Sequence, residues 1–120
     1  MWGRQAALVV VGSGLMALPP SNAGAEYAVQ DYRNLQDQSW FQEHLTSVAQ
    51  GFSLANRQLS INGKTPLYCL SDNHPLDKKM TLSLIDQGLK NGVSGAPWRE
   101  DSMIEIVLLA SLREQFPCRK

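Results

Sequence analysis

The sequence predicts a small all-α domain of three to four helices closed by one disulfide, and three observations carry that prediction. Apolar residues recur at helical spacing from residue 41 to residue 59. Two further helix-like runs, 77–90 and 102–116, follow and are separated by a glycine-rich turn. The only two cysteines, Cys69 and Cys118, bracket those two runs, so one cross-link would tie the ends of a helical hairpin together.

Length and composition suit one domain: 120 residues, 43% hydrophobic and 18% charged. Residues 1–25 read as an export signal. Arg4 supplies the positive start, the stretch from Ala6 to Leu18 is apolar, and Ala23-Gly24-Ala25 forms a small-residue cleavage site ahead of Glu26. The competing reading is a membrane anchor, but the apolar run is shorter than the roughly 20 residues a span requires and Pro19-Pro20 ends it. Cleavage after Ala25 and a periplasmic location are expected, with no membrane anchor on the mature chain.

Export governs how the cysteines are read, because oxidising compartments form and keep disulfides. A Cys69–Cys118 bridge would staple a mature chain of about 95 residues, a size at which such a link matters. Two cysteines so far apart, with no spaced histidines beside them, do not suggest zinc. Loss of Arg4 with the signal leaves 10 of the 11 basic side chains against 11 acidic ones. That near-neutral balance, without a basic cluster, excludes the usual footprint of nucleic-acid binding and of anionic-lipid binding. Partners held by shape and apolar contact are expected, and a homodimer is an option for a small helical domain.

Residues 26–38 are polar with scattered aromatics, Tyr27 and Tyr32, and read as a loosely ordered lead-in to a helical domain at 39–120. Ser39 and Gln42 have capping-box spacing and start the first long helix. Phe41, Leu45, Val48, Phe52, Ala55 and Leu59 stack along one of its faces. Gly51 and Ala55, one turn apart beside that stripe, would let another helix approach closely; a merely tolerated glycine is the alternative. Asn56 is placed to bond the connector backbone with its side-chain amide, or else to face solvent. Asn62-Gly63 ends the helix.

Residues 64–75 form a connector, with Pro66 and Pro75 opposing helix. Asp77 caps the second helix, which turns Met80, Leu84 and Leu89 inward with Leu82 or Ile85, and Asn91-Gly92 closes it. Trp98 is expected to fold back on the core. The last helix has two possible starts, Pro97 or Ser102, and the Ser102 to Glu105 spacing favours the second. Ile106-Val107-Leu108-Leu109 is compatible with a strand, but the length of the run and Ala110, Arg113 and Glu114 favour helix. Apolar nearly all round, this helix should be buried, and Pro117 stops it.

No motif for catalysis, a metal or a cofactor is present. His44 and His74 lack the spaced partners that a ligand set or nucleophile requires. The serines have no nucleophile-elbow context, and Gly12-Ser13-Gly14 belongs to the export signal. These residues suggest a binding protein rather than an enzyme.

The pattern Gly51-Phe52, Ala55-Asn56, Leu59, Pro66-Leu67-Tyr68-Cys69, a capped helix, Ile106-Val107-Leu108-Leu109, Leu112 and Phe116-Pro117-Cys118 resembles the Rap/Tai-type immunity proteins of type VI secretion. The likeness runs over residues 41–118. Many members carry further cysteines ahead of the glycine and a Gly-Tyr-Ile-type run where this chain has Gln50-Gly51-Phe52. The resemblance implies a small exported helical protein that binds and blocks a peptidoglycan amidase effector, with the same Cys69–Cys118 bridge. A second reading resembles the HdeA-type periplasmic stress chaperones, helical with one disulfide, and implies apolar surface exposed by acid. A structural accessory of the envelope is the third.

Overall fold

The computed structural model describes residues 26–71 and 75–119. Among them are four helices and no strand: α1 (Val29–Leu35), α2 (Ser39–Ile61), α3 (Lys78–Asn91) and α4 (Ile104–Gln115). The all-α class is as the sequence predicts, and Cys69 and Cys118 are joined by a disulfide with an S–S distance of 2.04 Å. The expected export signal and its cleavage site lie outside the described residues, as does His74.

The expected loose lead-in is instead a packed element. Residues 29–35 form α1, and Val29 and Tyr32 are buried in the common core. A helix of seven residues gains little from its own hydrogen bonds, so tertiary partners must hold it. Its first N–H groups, at Val29 and Gln30, donate to the carbonyls of Ser102 and Glu100 at 2.8 and 3.0 Å. In return the Ile104 N–H that opens α4 donates to the Tyr27 carbonyl at 2.8 Å. Each helix start thus supplies partners for the other's orphan donors. The Tyr32 hydroxyl donates to Asp86 Oδ1 on α3 at 2.7 Å, and burial, reinforced by that carboxylate, raises the phenol well above its ordinary pKa.

Helix α2 begins at Ser39, where expected, but by a different device. Gln38 is the capping residue, its carbonyl receiving the N–H groups of Phe41 and Gln42, and the Gln42 side chain donates to the Gln36 carbonyl at 2.7 Å. The Ser39–Gln42 capping box does not form because the chain entering from α1 already offers those backbone acceptors. Phe41, Leu45 and Ala49 are buried, Val48 and Phe52 partly so, and Ala55 is exposed. The stripe therefore fills the core only in its first half; on one flank of the second half the connector is bonded to Ser53 and Asn56.

Gly51 does not mark a close helix approach. A Cβ built there meets nothing within 4 Å. The position is helical and open, so Gly51→Ala should raise stability by about 1 kcal/mol, the helix-propensity difference, read as a higher urea midpoint. The close approach is at Gly88 on α3, where a Cβ would lie 3.0 Å from Val107 Cγ1 and 3.2 Å from the Val107 carbonyl oxygen on α4.

Helix α3 starts as expected, Asp77 Oδ1 accepting the Met80 N–H at 2.9 Å, and ends at Gly92 with φ 72°. Trp98 returns to this helix and donates its indole N–H to the Gly88 carbonyl at 3.0 Å. Helix α4 is capped by Met103 without a side-chain bond, so the Ser102–Glu105 box is not formed either; the Ser102 carbonyl is engaged by Val29. Ile104, Val107, Leu108 and Leu112 are fully buried against α3 and α2, but Ile106 remains 49% exposed, so the helix is buried on one side and not all round. After Gln115 the chain leaves helical geometry at Phe116 (φ −129°, ψ 61°), outside the α region that Pro117 disfavours for its predecessor.

Candidate functional site

The second half of α2 carries a polar flank as well as its apolar one. Ser53, Asn56, Arg57 and Ser60 recur at spacings of one and three, which places them along one side of the helix. The connector runs beside that side and is fastened by Asn56. The Asn56 side-chain N–H donates to the Tyr68 carbonyl at 2.7 Å, and its oxygen accepts the Leu67 N–H at 2.6 Å and the Tyr68 N–H at 3.4 Å. An amide is suited to this because it offers donor and acceptor in one plane, as a neighbouring strand would. The Tyr68 ring is buried below, with its hydroxyl 3.2 Å from Ser53 Oγ.

The connector's other edge is held by the C-terminus. The Cys69 N–H donates to the Phe116 carbonyl at 2.7 Å, and the adjacent disulfide fixes the two chains with Cα atoms 4.9 Å apart. Pro117, exposed between Phe116 and Cys118, sets the turn that brings them there.

Between α2 and this doubly held connector lies an open trough of about 360 Å³, lined by Ser53, Asn56, Arg57, Ser60, Tyr68 and Leu76 among others. Leu54 stands 68% exposed on the rim where the trough continues toward Asp77. Arg57 forms no ion pair or hydrogen bond among the described residues, whereas the nearby Lys78 faces Glu43 at 4.0 Å and Asp77 caps α3. Among the described residues, then, the trough presents one positive charge without an ion-pair partner, set among hydroxyl groups, a chemistry that suits an incoming carboxylate.

No family model, no curated protein and no solved structure matches this chain. The trough is thus read from its own chemistry. Of the residues singled out in the sequence, Cys69, Cys118, Asn56 and Pro117 converge on the connector, while Gly51 and Ala55 lie on exposed surface away from it. Among the described residues no group of three or more His, Cys, Asp or Glu side chains is placed to hold a metal ion, and no helix is long and apolar enough to cross a membrane. Arg57 belongs to no motif in the sequence; the signal that could have found it is the Ser53, Asn56, Arg57, Ser60 spacing.

Proposed function

We propose that this protein is an exported binding protein of the amidase-immunity kind, which occludes a peptidoglycan amidase effector by seating a carboxylate-bearing loop of it in the trough between α2 and the connector. The observation that carries this reading is Arg57, without an ion-pair or hydrogen-bond partner among the described residues, on a wall that Asn56 and the disulfide hold in place. A preorganised wall loses little conformational entropy on binding, and arginine is among the side chains that most often dominate such interfaces. The immunity-type sequence pattern and the export signal agree with it.

The experiment adds purified protein, taken from oxidised periplasm, to a candidate peptidoglycan amidase effector and follows residual peptidoglycan cleavage. Inhibition at a one-to-one ratio is expected, with Arg57→Glu weakening it at least about tenfold while leaving the unfolding midpoint in place. An amidase that cleaves undiminished, or one that Arg57→Glu blocks as well as the wild type does, would remove the proposal.

A further inference from the structure

The trough changes character along its length. Its two stretches join at Arg57, which lines both of them. On the Asn56 side the walls carry hydroxyl groups; on the other side Leu54, Pro75 and Leu76 border a stretch of about 440 Å³, and Asp77 lies in this second stretch alone. Leu76 is buried, whereas Leu54 is left largely in solvent. A single exposed leucine is ordinary, but this one stands with two more apolar side chains beside a cation.

The two charges are not matched to each other. Arg57 has no ion-pair or hydrogen-bond partner among the described residues. Asp77 gives Oδ1 to the Met80 N–H at 2.9 Å, so its capping role holds the carboxylate in place without neutralising it. The adjacent cation, Lys78, faces Glu43 at 4.0 Å. The apolar stretch therefore has a positive charge where it begins and a negative charge beyond, which gives the trough a direction.

Its length limits what can lie in it. Gln50 to Ser60, the outermost α2 residues of the two stretches, are ten positions apart, or about 15 Å along the helix axis. An extended chain covers that distance with four to five residues, and alternation turns every second side chain toward the walls. From Arg57 back to Gln50 is about 10 Å, room for three such residues, of which the first and third face inward.

We propose that the trough reads a short extended peptide segment in which an acidic, an apolar and a basic residue stand at alternate positions. The acid meets Arg57, the apolar side chain covers Leu54 and Leu76, and the base, on its long side chain, reaches Asp77. This specifies which loop of a partner is seated and rests on the binding role proposed above. Arginine and carboxylate can form two parallel hydrogen bonds, so the acid sets the register. The apolar contact removes Leu54 from water, and Asp77 rejects a second acid at that end.

The test uses capped heptapeptides of glycine and serine with aspartate, leucine and lysine at their second, fourth and sixth positions, made in both chain directions. They are titrated into the isotope-labelled, oxidised protein and followed through its amide shifts. One direction should bind, with shifts centred on residues 53–60 and 75–77, and its affinity should fall about three- to tenfold when its aspartate becomes asparagine, its leucine serine, or its lysine glutamate. Each preference should map to one wall residue. Arg57→Gln should erase the preference for aspartate and keep that for leucine, and Leu54→Ser should do the reverse; both positions are exposed, so the fold is kept. Asp77→Ser, which retains a capping side chain, should erase the preference for lysine over glutamate. Absence of binding in both directions, or equal binding of a peptide with the three side chains at consecutive positions, would overturn the proposal. No amidase is present in this titration, so the segment rule and the immunity role fail separately: the rule on the peptides, the role on residual peptidoglycan cleavage.

Discussion

Replacing Cys69 and Cys118 with serine lowers the free energy of unfolding by about 4 kcal/mol. The two residues are 49 apart in sequence, and opening a loop of that size returns this much conformational entropy to the unfolded chain in the loop-closure account. Against a total of about 5–15 kcal/mol for a domain of this size, the loss leaves a marginal protein. The folded state itself changes less, because the Cys69 N–H keeps its bond to the Phe116 carbonyl and Asn56 still holds the connector's other edge. Paired urea titrations, oxidised and reduced, read the difference directly. A loss below about 1 kcal/mol would mean that the reduced, unfolded chain keeps its two ends together.

Asn56→Ala is expected to cost about 2–3 kcal/mol, large for a partly exposed polar residue. It removes the side-chain donor to the Tyr68 carbonyl and the acceptor for the Leu67 N–H. The Leu67 N–H is on the exposed side and can turn to water; the Tyr68 carbonyl is partly buried, and a buried group left without a partner costs about 1–3 kcal/mol. Asn56→Asp separates the two roles: the acceptor remains, but a carboxylate oxygen then faces the Tyr68 carbonyl, so this variant should be no more stable than the alanine one near neutral pH. The clamp and the disulfide restrain the same segment from opposite edges, so their effects should not add. A double-mutant cycle in urea should show a coupling of at least about 0.5 kcal/mol, and strict additivity would mean that the connector is not a single restrained unit.

Much of the helical content was legible because its signals are local. The spacing of Phe41, Leu45 and Val48, the Asp77 cap and the Pro117 stop each act within a few residues. Short-range chemistry misled where a backbone carbonyl supplied the same service. Ser39 and Ser102 have the right spacing for capping boxes, yet the Gln38 carbonyl takes the Gln42 N–H that the first box would have held, and the Arg99 carbonyl takes the Ser102 N–H that the second would have held. The seven residues of α1 carry too weak a period to stand out, and they are helical because residues 100–102 receive their first N–H groups and the core receives Val29 and Tyr32. The polar side of the site was half legible: Asn56 drew attention as an amide near an apolar stripe, whereas Arg57 looked like any solvated arginine until the connector was seen beside it.

By itself, then, the sequence determined the all-α class, the second, third and fourth helices to within a residue or two at most ends, and the Cys69–Cys118 pairing, since only two cysteines exist to pair. Tertiary structure alone decided that the 26–38 segment is part of the core, that Gly88 rather than Gly51 is the point of close contact, and that His44 confronts Glu105 across 61 positions of chain. The reason is common to all three. Helical period and caps are set by neighbours along the chain, whereas burial, close approach and charge pairing depend on which helix faces lie opposite each other, and that is settled only when the helices pack.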